Sequence, residues 1–190
     1  MTKQVEIAVR FDDILDVQSD VIALKYAQAF YGADHKVADR LVAANLMTFD
    51  EIKLQPGESK LIRCHGVIRS DRALFIGTVG IDRFRYDSIR QWIRNTMRIL
   101  KEEEEPTRHV ALTLHGRGFG LEPGAAFLAL LSSLVDAVKH RNVPDSLAGI
   151  SIVEKDAETY LRLKELMAQR FFGETFVNPS PTGAVYSISA

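Results

Sequence analysis

The sequence predicts an α/β domain of three layers, a mixed and mostly parallel central sheet flanked by helices. Three observations predict it. Short apolar runs alternate with segments of helical periodicity, and strands separated by helices are joined by parallel crossovers. The 190 residues suit one domain, which at this size buries roughly 70% of its unfolded surface. A glycine-rich segment stands directly between a predicted strand and a predicted helix, the place where open α/β sheets gather ligands.

The elements follow in order. Val5, Ile7, Val9 and Phe11 alternate with Glu6, Ala8 and Arg10, which predicts a half-buried strand with the first four facing inward. Val21-Ile22-Ala23-Leu24, after Ser19-Asp20, is a short apolar run that suits a strand buried on both faces. Behind Asp34, the residues Val37, Ala38, Leu41, Val42 and Leu46 recur at helical spacing. Residues 60–64 and 73–77 read as strands split by a polar turn around Ser70-Asp71. Asp87 or Ser88 is placed to cap a long helix running to Leu100, with Ile89, Trp92, Ile93 and Met97 on its buried side. A strand over 110–114, a helix over 125–140, a strand over 150–153 and a helix over 157–169 complete the pattern. These make a domain of residues 1–170. The tail, 171–190, carries Gly173, Pro179, Pro181 and Gly183 before Ala184-Val185-Tyr186-Ser187-Ile188. It reads either as a linker leading to an extra strand or further segment, or as a terminal strand on the same sheet.

Composition excludes several classes of function. Twenty-four Lys+Arg stand against 25 Asp+Glu, a formal charge of −1, so a general nucleic-acid binder is not expected. A single cysteine, Cys64, excludes an internal disulfide and a cysteine-rich zinc site, and it fits a cytoplasmic setting. No apolar run approaches the ~18–20 residues of a membrane span, and the first residues lack the apolar core of a signal peptide. His35, His65, His109, His115 and His140 are scattered without an i,i+4 pair, so neither metal nor cofactor is expected. Cys64 and His65 are neighbours on a predicted strand and point to opposite faces, which argues against a Cys–His nucleophile. Arg90, Arg94 and Arg98 share one helix face. That stripe reads as an anion or RNA-backbone contact, or as a solvated face paired with Asp87 and Glu102–Glu105. The lack of interleaved aromatic residues favours the second reading.

The candidate site centres on His115-Gly116-Arg117-Gly118-Phe119-Gly120. Three glycines in five positions allow positive φ and close backbone approach to a ligand. Successive N–H groups in such a turn form an anion nest, and a helix beginning near Pro123 adds partial positive charge. His115 and Arg117 add donors. The loop has no Walker lysine and lacks the dinucleotide spacing, and glycines that merely turn the chain are the alternative. Tyr31-Gly32-Ala33-Asp34-His35-Lys36 is a second candidate loop. There Asp34 either caps the next helix or faces a ligand held by the first loop.

These pieces, in this order, resemble the macro domain, the α/β fold that binds ADP-ribose and related nucleotides. Asp12-Asp13-Ile14 followed by Ser19-Asp20-Val21-Ile22-Ala23 resembles the family's Gly-Asp-Ile segment and buried strand. Residues 31–38 stand where its first glycine-rich loop and helix lie, and residues 115–123 stand at its phosphate loop, with Phe119 and Gly120 matching. The resemblance implies that Asp13 accepts a hydrogen bond from an adenine amino group; an exposed turn residue is the alternative. It also implies that amides of 116–120 hold a diphosphate and that Phe119 packs against the ligand. The family's Asn-Ala-Ala-Asn is replaced by Lys25-Tyr26-Ala27-Gln28, and the Asn that orients the distal ribose in hydrolytic members is missing. The expected function is therefore a non-catalytic nucleotide sensor for an ADP-ribose-like or NAD-derived ligand within a larger assembly. Hydrolysis of an ADP-ribose ester would have to rest on Asp34, His35 or His115. The middle of the chain, 56–80, is equally similar to the N-terminal domain of leucine aminopeptidases. That likeness implies a scaffold with a degenerate cleft and a protein partner or second copy of this chain.

Overall fold

A computed structural model describes residues 3–114, 120–172, 177–179 and 185–189. Along the chain it forms β1 (Gln4–Phe11), β2 (Val21–Tyr26), α1 (Gly32–Ala43), β3 (Ser59–Arg63), β4 (Arg72–Gly77) and α2 (Tyr86–Glu102). It continues with β5 (His109–Thr113), α3 (Pro123–Lys139), β6 (Gly149–Glu154), α4 (Ala157–Phe171), β7 (Val177–Pro179) and β8 (Val185–Ser189). Among the described residues the strands make one sheet in the order β3-β4-β2-β5-β6-β1-β8-β7. Neighbours among β4, β2, β5, β6 and β1 run parallel, as crossover helices require. The borders are antiparallel, β3 on β4 at one side and β8 and β7 beyond β1 at the other.

Two apolar cores cover the two faces, and the period of two in a strand sorts residues between them. Val21 and Ala23 of β2 join Val5, Ile7 and Val9 in a core closed by α2, α3 and α4. Ile22, Leu24 and Tyr26 face the other way and meet Val37, Ala38 and Leu41 of α1. The result is the expected mixed, mostly parallel α/β sandwich. Trp92 is 1% exposed and donates from Nε1 to the Leu24 carbonyl at 3.3 Å, so it is core.

Several expectations change in detail. Phe11 is not buried; it is 56% exposed, because it is the last residue of β1, still in register with Glu154 but at the rim of the core, where Tyr160 packs against it. Val42 and Leu46 are only half-buried. Neither Asp87 nor Ser88 is the first residue of α2's cap. The cap position is Arg85, and Ser88 reaches back from the first turn to accept its N–H at 3.1 Å. Cys64 and His65 lie in the turn after β3, with His65 at φ 48°, and not on the strand itself. Cys64 is fully buried, and burial, then the nearby Asp71 charge, pushes its thiol up to about 12. The arginine stripe is mostly self-paired. Arg90 meets Asp87 at 2.7 Å and Arg98 meets Glu102 at 2.8 Å, while Glu105 turns to Arg63 and Arg72 instead. In the tail, β8 pairs with β1 and seats Tyr186 and Ile188 in the first core. Among the described residues no helix is long and apolar enough to cross a membrane, and no group of three or more His, Cys, Asp or Glu is placed to hold a metal.

Candidate functional site

The parallel strands all end at one edge of the sheet. Residues 12–20 leave β1 there, 27–31 leave β2, 78–85 leave β4, 114–122 leave β5, and Lys155-Asp156 leave β6. Because β2, β5, β6 and β1 are consecutive neighbours, four of these loops stand side by side. Of the candidate residues, Asp13, Gly32, Asp34 and Gly120 are described, and each lies in or next to a loop at this edge.

Asp13 lies in the turn after β1, half-buried. Its Oδ1 accepts from the Leu15 N–H at 3.1 Å, and its own N–H donates to Asp12 Oδ1 at 2.9 Å. These Asx-type bonds fix the turn. Asp13 shares a surface cleft of about 680 Å³ with Asp16, Lys36, Arg40 and Arg69. Lys36 is held below its usual range, first by a contact with Lys155 and then by that ammonium's like charge, while Asp13 opposes the shift.

Gly32 opens α1 at φ +52°, a left-handed conformation that a side chain would strain although open space surrounds it. Asp34 does not cap α1: the cap position is Tyr31, which makes no side-chain capping hydrogen bond. Asp34 sits inside the first turn, 4% exposed. Its carboxylate accepts from the Lys25 N–H at 3.2 Å and pairs with Lys25 Nζ at 2.7 Å. The side chain is therefore spent on tying α1 to β2. Gln28, at φ 57°, donates from its amide nitrogen to the carbonyls of Leu54 and Thr78, at 2.9 and 3.0 Å.

His115, Gly116, Arg117, Gly118 and Phe119 lie outside the described residues. Gly120 is described and adopts φ +77° with no atom within 4 Å of a built Cβ, so the backbone there is open to close approach. Beyond it, the start of α3 already carries an anion of its own. Glu122 Oε2 accepts from the Ala125 N–H at 2.6 Å, and Oε1 accepts from Arg162 at 2.6 Å. These contacts, the Ala125 and Gly124 amides foremost, hold the Glu122 carboxyl below its usual range. The expectation that this helix end adds positive charge for a phosphate is corrected to that extent: Glu122 consumes it.

Sequence reasoning missed one feature of this edge. Phe11 and Tyr160 form an aromatic pair, centroids 5.5 Å apart at 42°, directly before Asp12-Asp13. Lys164 Nζ stands 5.5 Å from the Tyr160 ring. A signal existed, since an aromatic residue followed by two aspartates sits where a strand must exit.

No protein-family model matches the sequence, and no curated protein matches it. Solved structures do match in fold. A mutant of the Oceanobacillus iheyensis macrodomain with ADPR superposes with a TM-score of 0.66 at 14% identity, covering 90% of this chain and 99% of that one. The macrodomain of that organism with ADP gives 0.67 at 13% identity, covering 90% and 98%. The Trypanosoma brucei macrodomain in complex with ADP gives 0.66 at 19% identity, covering 85% and 68%.

Proposed function

We propose that this chain, whose fold is that of the macrodomains, is a non-catalytic module that binds an ADP-ribose-like or NAD-derived nucleotide at the carboxyl edge of its sheet. One observation carries the reading. The loops after β2, β5, β6 and β1 stand in a row, with left-handed glycines at Gly32 and Gly120 and the acceptor Asp13 at the far end. From β2 to β1 is three strand spacings, about 14 Å at roughly 4.8 Å each. That span suits a ligand whose two ends are joined by a diphosphate better than a mononucleotide. The ADP and ADPR held by structures of the same fold support this choice.

In this reading Asp13 accepts from an exocyclic amine, as a carboxylate must. The exposed Phe11 ring, backed by Tyr160, offers a stacking surface for the base. Amides of 116–120 take the diphosphate without help from the α3 terminus, which Glu122 occupies. The absence of turnover is argued from Lys25 and Gln28. They stand where the family's Asn-Ala-Ala-Asn lies, and both side chains are engaged inside the protein. Neither supplies an amide that orients a water on the distal ribose.

Calorimetry and thermal unfolding with ADP-ribose, ADP and NAD test the proposal. At a hundred times its dissociation constant a ligand adds about 2.7 kcal/mol of stability. Asp13→Ala is expected to weaken binding by about tenfold, the loss of one charge-assisted hydrogen bond. No response to any of the three ligands overturns the sensor and leaves a scaffold role. Release of ADP-ribose from a modified substrate overturns the non-catalytic part.

A further inference from the structure

At the opposite edge of the sheet, α2 and α3 pack side by side and leave a groove of about 440 Å³ between their C-terminal halves. The placement follows from topology. Both helices start after carboxyl ends of parallel strands and end where the next strand begins, so their last turns lie far from the nucleotide edge. One wall carries Arg94, Arg98 and Lys101 of α2, and the other carries Ser133 and Asp136 of α3, with Asn142 beyond its end. The lining thus holds three fixed positive charges against one carboxylate.

The two arginines and the lysine are not equally committed. Arg98 pairs with Glu102 at 2.8 Å, and Lys101 Nζ donates to the Arg141 carbonyl at 2.7 Å. Among the described residues, Arg94 donates only to the neutral Gln91 Oε1, at 2.8 Å. A second observation is independent of charge. Ser133 is 5% exposed, and its hydroxyl has no hydrogen-bond partner among the described residues. A buried hydroxyl inside a helix ordinarily bonds back to the carbonyl one turn earlier. Thr96 on the facing helix does this, donating to the Trp92 carbonyl at 2.9 Å. Ser133 makes no such bond among the described residues, and its hydroxyl reaches the groove, open to water or to a ligand there.

We propose that this groove binds a small sugar or polyol phosphate. Guanidinium groups of Arg94 and Arg98 match a phosphoryl group, which a lone carboxylate would not fill as well. Asp136, Ser133 and Asn142 supply the acceptors and donors that hydroxyl groups need. A volume of about 440 Å³ accommodates a ligand of this size. The site is independent of the nucleotide edge.

Titration of amide-labelled protein with glucose 6-phosphate at fixed ionic strength, followed by NMR, tests it. Saturable shifts confined to residues 94–101 and 133–142 are expected. Arg94→Ala, an exposed helix position, is expected to weaken binding about tenfold and Ser133→Ala about threefold, both with the native spectrum retained. Asp13→Ala leaves this affinity unchanged, which separates the groove from the nucleotide reading. Glucose without phosphate is expected not to bind, and inorganic phosphate is expected to bind more weakly. Shifts scattered over the cationic surface without saturation overturn the site. So does affinity that survives in both variants. Inorganic phosphate binding as tightly as glucose 6-phosphate overturns the sugar-phosphate class.

Discussion

The Lys25–Asp34 pair is where a single residue decides most. Both side chains are almost fully buried, 5% and 6% exposed, at 2.7 Å. Such a pair adds little net stability over apolar substitutes, but removing one partner strands the other charge in the core. Asp34→Ala is therefore expected to lower unfolding free energy by about 3–5 kcal/mol, read from urea midpoints. A double change, Lys25→Met with Asp34→Leu, is expected to recover most of the loss. The sequence shows Lys25 as part of the replacement of the family's Asn-Ala-Ala-Asn and Asp34 as either a cap or a ligand-facing residue. Neither position reveals that the two meet, because their partnership depends on how α1 lies on β2. Asp13 and Gly32 were legible because turn chemistry is local. The exposure of Phe11 was not, because alternation gives the face of a strand residue but not how far along the strand the covering helices reach.

At the scale of elements, legibility was high wherever period and breaker residues agreed. The helix ending at Phe171 and the strand from Val21 follow their patterns closely: the helix buries Leu163, Met167 and Phe171 at helical spacing, and the apolar strand is buried on both faces. Caps were less legible. Arg85 and Glu122 are not the usual capping types, yet each is paired by geometry with a residue three positions on. The end of β4 shows how tightly elements meet. Gly77 exchanges backbone bonds with Gly57 and Glu58, at 3.0 and 2.9 Å, as the chain before β3 crosses it. A Cβ there would lie 2.1 Å from the Gln55 carbonyl oxygen. Backbone cannot yield as a side-chain tip can, so Gly77→Ala is expected to cost roughly 1–3 kcal/mol and lower the thermal midpoint. Gly57→Ala, in open space but at φ +94°, is expected to lose less.

For the whole molecule, acid is the informative stress. His109 stacks along β6, its Nε2 2.8 Å from Ser151 Oγ, and burial first, then the Arg10 charge, lowers its proton affinity. The unfolded chain therefore takes up this proton before the folded one does. Stability from His109 is complete above its ordinary value of 6.5 and declines as pH falls below it. Urea midpoints are expected to drop from pH 7 toward pH 5, with a shallower slope in His109→Gln. Glu51 and Glu122, held below their usual value of 4.5 chiefly by backbone amides, act only at more acid pH.

The first strand is also among the last to be satisfied. Glu6 registers with Gly149, and Val5 with Ile188. On the ribosome, Gln4–Phe11 emerges with Val5, Ile7 and Val9 bare while both of its neighbours await translation. At about 5–20 residues per second, that interval lasts on the order of 10–40 s before the C-terminal partner appears. A nascent chain with so long an orphaned apolar strand is a natural client for a holding chaperone.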